Sequence, residues 1–211
     1  NRLSTYCEMN RRKEIVDIRV GDSNDSKCKH EALGVYVMSR QYLIHLIADC
    51  VTHNCIHFER ELLTRALTDS KIGGYLFGAY ACKIEDTHQY FKANMDMLDK
   101  ETRDEVFLRT RPIYTRICDE SPAYYGDKAK VEDSLIADGC HIEGKVVNSI
   151  LFRDVLVEKD AVVSNSIIME NGRILNGASL AHIITDRGVT IRDGRTMMGH
   201  ENYPVVIAKS S

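Results

Sequence analysis

"NSIIMENGRI" (165–174) repeats, with small changes, "NSILFRDVLV" (148–157), seventeen residues earlier. Extending the echo in both directions gives two further copies in register, "DSLIADGCHI" from Asp133 and "HIITDRGVTI" from His182. In each copy an aliphatic falls nine positions after the first residue: Ile142, Val157, Ile174 and Ile191. The offsets between copies are 15, 17 and 17 residues. A near-constant period is the mark of a solenoid, whose units cannot bury their apolar side alone and do so by stacking on neighbours. The unit is too short for a pair of helices. It is rich in β-branched and aliphatic residues and is broken by Asp138-Gly139, Asn171-Gly172, Asn176-Gly177, Arg187-Gly188 and Asp193-Gly194, residue pairs that suit corners at positive φ. Three sides of about six residues each make a hexapeptide β-helix. Strands of a β-sandwich would be irregularly spaced with alternating polar faces, and four copies at near-constant offset argue against that. So short a β-helix needs caps, and "YPVVIAK" (203–209) and the preceding domain are the candidates.

The 211 residues suffice for one large domain or two small ones with a substantial core. A formal net charge of −3 gives no basic field to attract nucleic acid or an anionic membrane. Seven cysteines (7, 28, 50, 55, 82, 118 and 140), odd in number and without C-x-x-C pairs, suit a reducing, cytoplasmic compartment better than a disulfide framework. No apolar run reaches the roughly 18 residues of a membrane span, and no signal-peptide pattern opens the chain. The chain begins at Asn1 rather than Met, and is expected to be part of something longer.

The first 120 residues follow a different pattern. Residues 4–20, with Ile15, Ile18 and Val20 around the polar turn "NRRK", predict a hairpin. "ALGVYVMS" (32–39) predicts a strand buried on both faces. Residues 40–51 and 58–67 carry apolar residues at helical spacing. "GYLFGAYACKIED" (74–86) predicts a strand, and residues 87–98 a helix capped by Thr87. Alternation of strands and helices implies an α/β layer. The turn-forming run 119–130 sets the expected boundary, with an α/β domain over 1–120 and a β-helix over 121–211.

An α/β segment ending in "YFKANMDML" (90–98), followed by "RPIYT" (111–115) and a hexapeptide run opening "DSLIADGCHIEG" (133–144), resembles the sugar-nucleotide pyrophosphorylases. Within them it is most similar to the glucose-1-phosphate adenylyltransferase family of bacterial glycogen synthesis, over about Leu33 to Lys209. The resemblance implies the C-terminal half of a doubly wound nucleotidyltransferase domain followed by a left-handed parallel β-helix. It implies ATP, glucose 1-phosphate and Mg²⁺ for the intact complex, and no cofactor in this portion. The family's Gly-rich phosphate loop has no counterpart here, since "GGYLFG" (73–78) does not open a helix as such a loop must.

The resemblance also implies where site residues should fall. Aligning on "YFKAN", the family's metal-binding W-x-D-x-G-T motif corresponds to "ACKIED" (81–86), with Lys83 in the place of the Asp, Glu85 in that of the Gly and Asp86 in that of the Thr. An ammonium repels Mg²⁺ where a hard anionic oxygen is required. The expected E-K-P lysine is missing from "IRVGDSN" (18–24), and "ALG" (32–34) keeps only Gly34 of the S-M-G strand that lines the glucose pocket. Gly34, Lys83, Glu85 and Asp86 are therefore expected to form a degenerate sugar-phosphate pocket with no catalytic residue. An active pocket would need Glu85 or Asp86 to supply the carboxylate from a shifted backbone. The family type most similar to this pattern is the regulatory subunit that accompanies a catalytic one in many Gram-positive bacteria. The implied partners are that catalytic adenylyltransferase subunit, sugar phosphates, and a second copy through the β-helix or exposed sheet edges. Plant relatives bind a phosphorylated activator through a C-terminal Lys in a segment similar to 203–211, which makes Lys209, with Arg111, the expected effector-binding pair.

Two other constellations have competing readings. Cys50, His53, Cys55 and His57 in "CVTHNCIH" (50–57) invite a zinc site, but their spacing is not that of paired structural ligands and fits a helix end better. His141, His182 and His200 raise a β-helix acyltransferase with a His general base. His141 and His182 sit at different offsets within their repeats, which favours corner or solvent positions.

Overall fold

In the computed structural model, which describes residues 4–21, 29–115 and 119–209, the chain divides by packing into two compact units, 1–81 and 82–211. Asp22–Asn24 of the expected E-K-P region, Cys28 and Cys118 lie outside the described residues.

In the first unit, β1 (Ser4–Met9) and β2 (Ile15–Gly21) form the expected antiparallel hairpin, and β3 (His30–Glu31) pairs with the other edge of β1. Asn10 holds the turn: its carboxamide oxygen accepts the N–H groups of Arg12 (2.8 Å) and Glu14 (3.0 Å). Helix α1 (Arg40–Thr52) starts at Ser39, whose hydroxyl accepts the Tyr42 N–H at 3.2 Å. The second helix opens as a π-turn over Phe58–Leu63 and continues as α2 (Thr64–Asp69). Leu46, Leu62 and Ala66 form its small core, flanked by Met38, Tyr42, Cys50, Phe58 and Ile72.

Two expected strands do not form. Residues 32–39 and 74–86 belong to no sheet; a bridge between Glu14 and Gly73 stands just ahead of the second. Val35, Val37, Tyr75 and Leu76 are exposed rather than buried. A strand exists only where a neighbour accepts its backbone hydrogen bonds, and among the described residues only the first residue of each segment finds a backbone acceptor, the Ala32 N–H at Thr5 O (2.8 Å) and the Gly74 N–H at Lys13 O (2.7 Å).

The second unit is the stack of coils. Three parallel sheets of five short strands each run along it, with rungs paired at the spacing of the sequence repeat. One inward column is Ile142, Val157, Ile174 and Ile191; another is Val131, Val146, Val163, Leu180 and Met197; a third is Ile136, Leu151, Ile168, Thr185 and Ile207. Their side chains form the main core of the chain. Thr185 is tolerated there because its hydroxyl accepts the Met169 N–H at 3.2 Å.

The repeated "NS" has a physical reason. Asp133, Asn148, Asn165 and His182 stack at one corner with φ of 45°, 46°, 44° and 54°, a conformation that Asn and Asp tolerate better than other residues with a Cβ. The Asn148 carboxamide donates to Asn165 Oδ1 at 2.5 Å. The next residue forms a hydroxyl ladder: the N–H of Ser149 donates to Ser134 Oγ, that of Ser166 to Ser149 Oγ, and that of Ile183 to Ser166 Oγ, each at 3.1 Å. At the other corners Gly139, Gly177, Gly188 and Gly194 take positive φ, whereas in Asn171-Gly172 it is the Asn that does so.

One outward column is also aliphatic: Leu135, Ile150, Ile167, Ile184 and Val206. Helix α3 (Thr87–Asp96) lies along it and buries Phe91 against Ile167 and Ile184. Its cap is Asp86, not Thr87: Asp86 Oδ1 accepts the Gln89 N–H at 2.7 Å. The short α4 (Lys100–Val106) follows, capped by Asp99. Val205–Ile207 of the C-terminal segment does not fold over the end of the stack but adds a further parallel rung beside Ile183–Thr185. The turn-rich boundary near residue 120 marks where the first rung, Tyr124–Tyr125, begins, while the division by packing falls after Ala81 because α3 packs on the β-helix.

Candidate functional site

The segment 82–86 runs into α3 and carries Lys83, Glu85 and Asp86, the residues expected from the resemblance at the family's metal motif. Lys83 Nζ lies 3.0 Å from Glu85 Oε1, and both side chains are largely covered. The Glu85 N–H donates to Gln89 Oε1 at 2.7 Å, which fixes the backbone in front of the helix. The Asp86 carboxylate is engaged as the helix cap. A shallow groove of about 460 Å³ adjoins, lined by Glu85, Asp86, Thr87, Tyr90, Met169 and Ile184 among others. Its lining joins two carboxylates, Glu85 and Asp86, to mainly apolar side chains. Gly34, at φ +73°, belongs to the first unit, whereas Lys83, Glu85 and Asp86 belong to the second.

This donor set does not fit Mg²⁺. The cation would meet an ammonium already bonded to the nearest carboxylate, and the other carboxylate is turned toward a helix N-terminus. What the arrangement can do is hold an anion weakly through Lys83 or serve as a structural latch for α3.

Lys209 and Arg111, the expected effector pair, are joined by no hydrogen bond or ion pair among the described residues. The Lys209 ammonium instead sits at the Arg187-Gly188 corner, 3.5 Å from where a Cβ on Gly188 would lie. Arg187 Nε is 3.3 Å from Glu170 Oε2, and Arg153 approaches the same carboxylate at 4.0 Å. Arg187 and Arg153 therefore flank one carboxylate on a single corner column, and the Lys209 ammonium lies beside the neighbouring Gly188. Sequence reasoning missed Arg153 and Arg187, although a signal was there: positions 153, 170 and 187 are spaced by the repeat itself, 17 and 17.

The other constellations resolve into local structure. Cys50 Sγ donates to Cys55 O at 3.1 Å just past the end of α1, and burial pushes the Cys50 thiol pKa up. His53 Nδ1 faces Asp49 on the same helix. Glu61 takes the N–H groups of Ile56 (2.7 Å) and His57 (3.1 Å), and those backbone donors hold its carboxyl below the usual range. Beside them a groove of about 540 Å³, lined by His53, Arg60, Arg65 and Thr64 among others, was not foreseen. His141 stacks on Tyr124 with ring centroids 4.5 Å apart and lies 3.4 Å from Glu143. His182 is a corner residue whose ring lies 6.2 Å from that of Phe91, and His200 accepts the Asn202 N–H at 3.2 Å. No helix among the described residues is long and apolar enough to cross a membrane.

Comparison with known proteins agrees with this architecture. Residues 121–203 match the family model described as GlmU-like, C-terminal hexapeptide. The glycogen biosynthesis protein GlgD of Bacillus subtilis is 34% identical over 181 residues, covering 85% of this chain and 52% of that protein. Glucose-1-phosphate adenylyltransferases of Bacillus mycoides and Bacillus anthracis are each 33% identical over 151 residues, covering 71% of this chain and 40% of theirs. The chain spans about half the length or less of the curated relatives it matches. In its repeat, its coils and its relatives alike, the chain is homologous to GlgD and to glucose-1-phosphate adenylyltransferases over their hexapeptide-bearing portion.

Proposed function

We propose that this chain is part of a regulatory, non-catalytic or weakly catalytic subunit of the cytoplasmic enzyme that makes ADP-glucose from ATP and glucose 1-phosphate for glycogen synthesis. The observation that carries the reading is the Lys83–Glu85 ion pair at 3.0 Å, in the segment where the resemblance places the metal-holding Asp. A metal-assisted adenylyl transfer needs anionic oxygens to hold the Mg²⁺ that neutralises charge on the departing pyrophosphate, and this segment offers a cation instead. The likeness to GlgD of Bacillus subtilis, named for glycogen biosynthesis rather than for an adenylyltransferase activity, points the same way. The working partner would be a catalytic adenylyltransferase subunit, with the β-helix as the oligomerisation and allosteric surface. Lys209, which lies beside Gly188, with Arg187 next to it in sequence, would receive a phosphorylated effector in place of the Lys209–Arg111 pair expected from sequence.

The test is co-purification of the intact protein with the catalytic subunit of its own organism, followed by effector titration of the complex. Complex formation with an effector response weakened at least tenfold by Lys209→Ala supports the proposal. No complex at micromolar concentration argues against it. A thermal shift with acetyl-CoA but none with sugar phosphates would instead favour an acyltransferase.

A further inference from the structure

Helix α1 ends in a turn that folds the chain back over the helix's own last residues. Asn54 takes φ 52°, the Cys55 N–H donates to Cys50 O at 3.0 Å, and the Asn54 N–H donates to Val51 O at 3.4 Å. In this left-handed helix stop the second residue past the end packs its side chain on the residue five positions earlier, commonly as an apolar pair. Here both members of the pair are cysteines. The links Cα···O (about 2.4 Å), O···N (3.0 Å) and N–Cα (about 1.5 Å) hold the two Cα atoms within about 7 Å, and the bends along that path bring them inside the roughly 4.4–6.8 Å that a disulfide spans. The Cys50 thiol already reaches toward Cys55 and donates to its carbonyl oxygen at 3.1 Å. Burial, and then the Cys55 thiol beside it, push the Cys50 pKa up, so that Cys50 is held as the thiol. Both residues are half-buried, and Cys55 also lines the open groove that contains Arg60 and Arg65. His53 is turned to Asp49 at 3.1 Å, and among the described residues no three potential metal ligands gather, so the two thiols meet without the partners a metal ion needs.

We propose that Cys50 and Cys55 form a reversible dithiol–disulfide pair, oxidised by a low-molecular-weight disulfide. Cys55, on the groove, reacts first. Its thiolate attacks one sulfur of the incoming disulfide and expels the other as a thiolate, leaving a mixed disulfide on Cys55. Cys50 then gives its proton to solvent and attacks Cys55 Sγ, expelling the second thiolate. The two cysteines lose two electrons between them, and the oxidant leaves as two thiols; excess thiol reverses both steps. The bridge pins the connection between α1 and the next helix, whose entry Glu61 holds through the N–H groups of Ile56 and His57. The proposal does not rest on whether the subunit is regulatory or catalytic.

The test equilibrates the intact protein with glutathione buffers from fully reduced to fully oxidised, alkylates the free thiols and weighs the tryptic fragment 41–60. Cleavage after Arg40 and Arg60 isolates Cys50 and Cys55 from every other cysteine. As the buffer becomes oxidising, the fragment should lose two hydrogens and take up no alkyl group, and excess thiol should restore it. Bridging should occur at a glutathione ratio about tenfold or more further toward the reduced side than in the urea-unfolded protein. Cys50→Ser should trap the mixed disulfide on Cys55, and Cys55→Ser should slow the reaction of Cys50 with oxidised glutathione about tenfold or more. Three results overturn the proposal: a fragment that accumulates as the mixed disulfide in the wild type, bridging no easier in the folded protein than in urea, and a Cys50 that reacts as fast without Cys55 as Cys55 does without Cys50.

Discussion

Leu180→Ala tests the stacked-coil architecture at its densest point. Leu180 is fully buried and stands in the inward column between Val163 and Met197, with a rung on either side. The substitution removes about three carbons, worth roughly 0.8 kcal/mol each in transfer free energy, or about 2.4 kcal/mol. Neighbouring rungs are tied by backbone ladders and cannot collapse far into the space, so a cavity term brings the expected loss to ~3–4 kcal/mol. For a unit of this size that corresponds to a fall in Tm of about 10 °C. The assay is urea unfolding at 25 °C followed by far-UV circular dichroism, with Leu156→Ala as the control. Leu156 stands outward beside His141 and Arg173 and is half-buried, so its truncation should cost less than about 1 kcal/mol. Equal losses at the two positions, or a loss below about 1 kcal/mol at Leu180, would refute the assignment of inward and outward columns.

Three further outcomes follow from local geometry. In Gly144→Ala the new methyl group would press on the carbonyl oxygens of Ala161 and Glu158, both backbone atoms that cannot move aside; a loss of at least ~2 kcal/mol in the same urea assay is expected. Asn165→Ala should cost ~1–2 kcal/mol from its left-handed backbone and the lost bond from Asn148, and Asn165→Gly should recover most of the backbone share, as thermal melts of the pair would reveal. The Asp99 carboxylate accepts the Thr102 N–H (2.8 Å) and hydroxyl (2.9 Å), and these bonds hold its pKa below the ordinary value. With the folded-state pKa depressed, the cap stabilises α4 above the unfolded value near pH ~4 and is lost as pH falls through the folded one. Exchange of the amides of residues 100–106 should therefore quicken on acidification in the wild type, beyond the intrinsic pH dependence, and Asp99→Asn should remove that excess.

The β-helix was legible in the sequence because its information is local and repeated. Successive coils reuse an inward aliphatic, a corner residue that accepts positive φ and a hydroxyl aimed at the next coil, so Asn148-Ser149 and Asn165-Ser166 spell the same geometry twice. The hairpin and the helices of the first unit were legible for the same reason, since Asn10 and Ser39 cap their own neighbours. Residues 32–39 and 74–86 read as strands but are not, because a strand is a property of two segments and among the described residues neither has a second segment paired along it. The site was half legible. The bond of Lys83 to Glu85 and the capping role of Asp86 depend on where α3 begins, and the sequence put its cap one residue late. Arg153 and Arg187 escaped notice because surface charges carry no apolar period, and only the coil spacing aligns them with Glu170.

The most direct test of the functional account is ADP-glucose formation by the intact polypeptide from which this sequence comes, assayed without any partner subunit in ATP, glucose 1-phosphate and Mg²⁺. The account predicts turnover at background, with activity only when the catalytic subunit is added. Turnover by the polypeptide alone at a rate comparable to that of the catalytic subunit would contradict it.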